Sequence, residues 1–231
     1  MNLFSYRKFQ DHIIITSVRW YTRYGISYRD LEEMMEERNI FVDHSTLNRW
    51  VIFYATKFAE KLKKYRKKGY NKVWYIDETY VKVKGKWHYL YRSINKQGDT
   101  LDFYLSERRD TEAAKHFLKK SLKNLKRLER PKILNTDKNA AYPGAISSLK
   151  EEGILTASAE HRRVKYLNNR IECDHGKLKR LIKPTMGFKA LHSARATIAG
   201  FELMRMFKKG QFKGVGNVRE EAVLMMRCLR S

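Results

Sequence analysis

Asp77, Asp137 and Glu172 are three carboxylates in three different local settings, on a chain whose formal net charge is +24. Asp77 interrupts the apolar, strand-like run from Val73 to Val81. A carboxylate there is costly unless a metal ion or a dense set of donors compensates it. Asp137 follows a second short strand, Lys132 to Thr136. Glu172 lies in a helix-like segment from Tyr166 to Lys183, with 34 residues between it and Asp137. Two carboxylates from strand ends and one from a helix can converge on Mg2+, which takes oxygen ligands and completes its shell with water and substrate phosphate. On so basic a chain, that constellation points to chemistry on nucleic acid.

Each acid alone has an ordinary explanation. Alternate strand residues face opposite sides, so Asp77 shares a face with Tyr75 and Thr79 while Glu78 points away with Ile76. One of the adjacent pair is expected in the site, and Asp77 is the choice, although an exposed strand aspartate beside a lysine is common. Asp137 could cap a helix opening at Ala140-Ala141-Tyr142. Glu172 could be a solvated helix residue; its stripe carries Asn168, Asn169, His175, Gly176 and Lys179, opposite an apolar stripe of Leu167, Ile171 and Leu178. Asp174 projects elsewhere and is the weaker ligand. His161, Arg162, Arg163 and Lys165 precede this helix, and Lys177, Lys179, Arg180 and Lys183 lie within or after its middle. Cations flanking carboxylates suit a phosphodiester substrate.

The elements that must position these groups can be read from periodicity. From Val73 the pattern has period two, giving strands near 73–84, 87–95 and 100–105 joined by the short turns Lys84-Gly85-Lys86 and Lys96-Gln97-Gly98-Asp99. A helix from about Thr111 to Leu125, the strand at Lys132–Thr136, a helix after Asp137, a short strand around Ile154–Thr156, the helix bearing Glu172 and a last helix near Ala190–Lys208 follow. Three antiparallel strands, then alternating helices and strands, are the order of a ribonuclease-H-like α/β fold. The N-terminal part reads as all-α. Phe9 to Tyr24 is apolar-periodic, and Ser27 with Asp30 three residues on opens a second helix. A third helix begins near His44-Ser45-Thr46 and buries Leu47, Trp50, Val51 and Tyr54. Such an array fits a helix-turn-helix whose exposed His44, Ser45, Thr46, Asn48 and Arg49 face DNA. Spacing alone fits an ordinary helical hairpin equally well; the charge tips it toward DNA. The expected division is a helix-turn-helix domain over 1–68, ending in the basic run Lys61–Lys68, and a catalytic domain over 69–231.

Composition narrows the partners. Lys plus Arg number 49 against 25 Asp plus Glu, a field that favours polyanions. An anionic membrane is the weaker alternative, because no stretch approaches the roughly 20 apolar residues of a span, and no secretory signal is evident. Cys173 and Cys228 form no zinc spacing and fit a reducing cytosol. A structural nucleic-acid binder would share this composition, so charge alone leaves enzyme and binder both open.

The blocks Ser27-Tyr28-Arg29-Asp30, His44 to Trp50, Ile76-Asp77-Glu78-Thr79 through Trp87, Thr136-Asp137-Lys138, and Glu160-His161-Arg162 through His175 resemble, in order, the transposases of the insertion-sequence-six family. The resemblance runs on to Glu202. It implies a DDE transposase with a helix-turn-helix end-binding domain and a ribonuclease-H-like catalytic domain, whose triad falls on Asp77, Asp137 and Glu172. It further implies two Mg2+ ions, with Mn2+ able to substitute, held by that triad for cleavage at the element ends and attack of the freed 3′-OH on target DNA. Lys179, His175 and Arg162 would then contact DNA, the terminal inverted repeats would be bound by the N-terminal domain, and at least a dimer would pair two ends in a replicative, cointegrate-forming reaction. A cytoplasmic, nucleoid-associated location goes with that reading. Cys173 and Gly176 stand where glutamine and arginine are common. The competing readings are a DNA-binding regulator with a non-catalytic oligomerisation domain and a metal-dependent nuclease of the same fold.

Overall fold

Val73–Val83, rich in β-branched and aromatic residues, forms β1, the central strand of a five-stranded sheet. The turn at Lys84-Gly85, both with positive φ, leads directly into β2 (Lys86–Asn95), as a two-residue hairpin requires. β3 (Thr100–Ser106) pairs antiparallel with β2. β4 (Ile133–Thr136) lies parallel to β1 on its other side, and β5 (Glu160–Arg163) lies parallel to β4, giving the order β3-β2-β1-β4-β5. Three antiparallel strands followed by two parallel ones are the ribonuclease-H-like arrangement expected above. The computed structural model describes residues 8–67 and 72–230; Lys68, the last residue of the expected basic linker, lies outside them.

The helices α4 (Thr111–Leu122) and α5 (Ala141–Glu151) cover one face of this sheet. Trp74, Ile76 and Tyr91 from the strands meet Phe117, Leu118, Tyr142, Ile146 and Leu149 in a continuous buried core. Asp110 accepts from the Ala113 amide to cap α4. The strand expected around Ile154–Thr156 is absent. Leu155 is buried in the core next to a turn, and the fifth strand is the charged segment Glu160–Arg163, which carries little apolar signal because it is an edge strand.

Contacts divide the chain into residues 68–177 and a helical unit made of 1–67 with 178–231. This departs from the expected boundary, in which everything after 68 was catalytic. Within the helical unit, α1 (Asp11–Arg23), α2 (Tyr28–Glu36) and α3 (His44–Lys61) share their core with α7 (Leu191–Lys208) and α8 (Val218–Arg230). Gly200 of α7 explains the closeness: a Cβ there would come 2.5 Å from Thr22 and 3.1 Å from Ala55. α8 was not anticipated. Its Glu221 is buried and ion-paired with Arg19 at 2.7 Å and Arg23 at 2.5 Å. The Ser27–Asp30 capping box of α2 is formed as expected, while α3 is capped by Asp43, which accepts from the Ser45 and Thr46 amides. Among the described residues, no helix is long and apolar enough to cross a membrane.

Candidate active site

The β1–β4 register puts the first two acids together. Val73, Trp74 and Tyr75 pair with Ile133, Leu134 and Asn135, so the same offset carries Asp137, the residue after β4, to the level of Asp77. Asn135 supports this junction from within, its buried amide donating to the Trp74 carbonyl at 3.1 Å. The Asp137 side chain accepts from the Asn139 amide at 2.9 Å, and Asn139 in turn accepts from Ala141 at the start of α5. Asp137 does not take the capping role open to it on sequence grounds: the N-cap of α5 is Ala140, which makes no side-chain cap.

Carboxylate oxygens of Asp77, Glu78 and Asp137 all lie within 4.8 Å of one another. Glu78 was expected to point away from the site, and its side chain does leave the opposite face of β1; the pleat does not separate the two carboxylates far enough to exclude it. Its oxygens are nonetheless committed. Oε1 accepts from Arg109 Nε at 2.6 Å and Asn139 Nδ2 at 2.9 Å, and Oε2 accepts from the Tyr142 hydroxyl at 2.5 Å. Glu78 thus ties the Asp137 loop and α5 to β1, while Asp77 and Asp137 keep oxygens available.

Electrostatics single out Asp77. Burial, and then the charges of Glu78, Asp137 and Glu172, push its pKa up to about 8. Without a cation, mutual repulsion and lost hydration hold a proton on it. A divalent cation relieves the same repulsion, so an all-oxygen set crowded in this way fits Mg2+.

Glu172 sits in the first turn of α6 (Asn169–Ile182), exposed, outside the 4.8 Å cluster yet near enough for its charge to act on Asp77. Three residues fix this helix end on the sheet. Asn168 Nδ2 donates to the Ile76 carbonyl at 3.3 Å, Arg170 donates to the Lys96 carbonyl and lies over Tyr75, and Asp174 pairs with Arg92 at 2.6 Å. Arg92 is the cross-strand partner of Asp77 and is fully buried. Sequence reasoning missed it; an arginine within the apolar run Tyr89-Leu90-Tyr91 to Ile94 was the available signal.

The DNA-contact candidates fall into separate places. His175 was expected to meet a phosphate, but it is buried, with Nδ1 3.9 Å from Asp77 Oδ2; a position seven residues after Asn168 on the same helical flank turns it toward the sheet. Arg162 is exposed on β5 and holds Glu160 through two nitrogens at 2.7 and 2.8 Å. Its neighbour His161 turns inward to Thr136 at 2.9 Å, and burial beside Arg163 pushes its pKa down to about 4. Lys179 is exposed on α6. In α3, His44 and Arg49 are exposed and Asn48 is half-buried. His44 contacts Glu32 at 3.0 Å, and the Ser45 and Thr46 hydroxyls both donate to Asp43, whose carboxyl is thereby held below its usual range.

A sequence profile described as a DDE domain matches residues 71–211. A transposase for the insertion sequence-like element IS431mec of Staphylococcus aureus is 39% identical over 212 residues, 91% of each chain. The transposase for insertion sequence element IS257 in transposon Tn4003, from the same species, is 38% identical over the same length and coverage. Among solved structures, the HTLV-2 integrase catalytic core domain in complex with magnesium overlaps 59% of this chain and 86% of its own, at 16% identity and a TM-score of 0.43.

Proposed function

Because the chain belongs to the insertion-sequence-six family of DDE transposases, we propose that it binds the terminal inverted repeats of its element, cuts there and joins the freed 3′-OH to target DNA by a replicative, cointegrate-forming route. The observation that carries this reading is the convergence of Asp77 and Asp137 at the end of β4, with the charge of Glu172 reaching Asp77. Asp77, Asp137 and Glu172 would hold two divalent cations, Mg2+ or in its place Mn2+. Bound there, such ions supply Lewis acidity toward the phosphodiester and lower the pKa of a coordinated water or hydroxyl.

The chain's own groups do the rest. Asp77 must shed the proton it holds below about pH 8 before it can serve as a ligand. Glu78 keeps Asp137 in place through Asn139, and the Arg92–Asp174 pair keeps the start of α6, and so Glu172, on the sheet. His175 orients Asp77 from behind instead of gripping phosphate. Lys179, two turns beyond Glu172 and roughly 10 Å along the helix, holds a strand by charge, as does Arg162 at the sheet edge. In α3, His44, Asn48 and Arg49 reach toward bases, while Ser45 and Thr46 offer hydroxyls already tied to Asp43. Pairing two ends calls for at least a dimer, acting in the cytoplasm at the nucleoid.

Paired oligonucleotide ends, a plasmid target and Mg2+ test this directly. Joined product that disappears in Asp77→Asn, Asp137→Asn and Glu172→Gln, with end binding retained, is the expected result. Cutting without joining would make the protein a nuclease, and binding with neither would make it a regulator.

A further inference from the structure

The far end of the β1–β2 hairpin carries an aromatic cluster open to solvent. Tyr80 is 45% exposed and Trp87 60% exposed, unusual for rings of that size on a strand pair. Their centroids lie 6.1 Å apart in an edge-to-face arrangement, and Tyr80 also meets its cross-strand partner Tyr89 at 5.4 Å. These rings share the face of β1 that bears Glu78, two residues before Tyr80 and so about 7 Å away along the strand. Arg109 joins the two places: its Nε binds Glu78 while its guanidinium lies 5.9 Å from the centre of the Tyr80 ring.

The charge around the rings has one predominant sign. Lys82, the cross-strand partner of Trp87, is exposed, as are Lys84 and Lys86 flanking the turn. Arg108 and Arg109 follow β3 between the acids Glu107 and Asp110, the second of which caps α4. Exposed aromatic faces interleaved with lysines match the needs of unpaired nucleotides, whose bases stack while their phosphates pair with cations. A duplex hides its base faces, so these rings offer it nothing comparable.

We propose that Tyr80 and Trp87 form a stacking platform for an unpaired nucleobase of the substrate DNA strand, with Lys82, Lys84 and Lys86 along its backbone. The platform rests on the transposase reading in one respect, that DNA is the substrate. The same hairpin rings could alternatively bury against a second protein chain, and the experiment separates the two.

The test uses the full chain with a ten-nucleotide single strand carrying 2-aminopurine, and with a duplex of the same sequence. Stacking quenches the probe. Trp87→Ala and Tyr80→Ala are expected to abolish quenching and to weaken single-strand binding about 5- to 150-fold, with duplex binding unchanged and Trp87→Phe retaining most of the signal. Lys82→Ala should lower the log–log salt slope by about 0.7. Wild-type quenching in both alanine variants overturns the proposal, as does an equal loss on duplex, or a fall in oligomer mass with the fluorescence intact. Strand transfer by the unsubstituted protein is scored separately: its absence defeats the transposase reading whatever the probe shows, whereas its presence with unquenched 2-aminopurine defeats the platform alone.

Discussion

Asp77 carries a measurable signature even without substrate. Its folded pKa of about 8 lies above the unfolded value of 3.8, so the native state keeps a proton that the unfolded chain has released. That contribution to stability is fully present below about pH 4 and is lost as the pH rises through 8. Urea unfolding of metal-free protein between pH 5 and pH 9 should show the decline, Asp77→Asn should flatten it, and Mg2+ should restore stability at the alkaline end. Glu78 and Asp174 would both serve, on sequence alone, as neutral controls for the triad; the structure removes that option. Glu78→Gln replaces an acceptor of three donors with a group that must turn an NH2 toward one of them, at a cost of about 2–3 kcal/mol. Asp174→Asn strips the carboxylate from a fully buried guanidinium and should cost about 3–5 kcal/mol in denaturant unfolding. An exposed acid such as Glu151 is the better control. Asp77 stood out because a carboxylate within an apolar strand is costly, whereas these supporting contacts depend on tertiary neighbours that no local pattern encodes.

At the level of elements, α6 carries both Glu172 and Lys179, which the proposed reading assigns to metal and to phosphate. Lys179→Ala should reduce joining and flatten the salt dependence of end binding by about 0.9 in log–log slope, one phosphate contact, while arginine preserves it. Gly176, one turn after Glu172, has nothing within 4 Å of where a Cβ would stand. Gly176→Arg should therefore raise stability by up to about 1 kcal/mol through helix propensity and steepen the same slope; an unchanged slope would mean that this turn of the helix does not face DNA. The hairpins and amphipathic helices were readable from period and turn residues. β5 was not, since Glu-His-Arg-Arg has no alternation to detect. α8 did have a signal: Asn217 caps it and Met225, Cys228 and Leu229 bury at helical spacing.

For the whole molecule, the division at 177 changes what an isolated N-terminal piece can do. Residues 1–67 leave exposed the faces of α1 and α3 that α7 and α8 cover, and they lack the Glu221 carboxylate that pairs Arg19 and Arg23. A 1–67 fragment should show weak circular dichroism and no cooperative urea transition, and adding 178–231 as a second peptide should restore one. The sequence boundary at 68 followed the change from helical to strand periodicity, which marks where a pattern shifts but not where the chain comes back. That return has a consequence during synthesis. The ribosome makes the first three helices long before α7 and α8, so the sheet unit can mature while the helical one waits for its closing strokes. A nascent chain would therefore bring Asp77, Glu78 and Asp137 together before its first three helices gain the partners that complete their core.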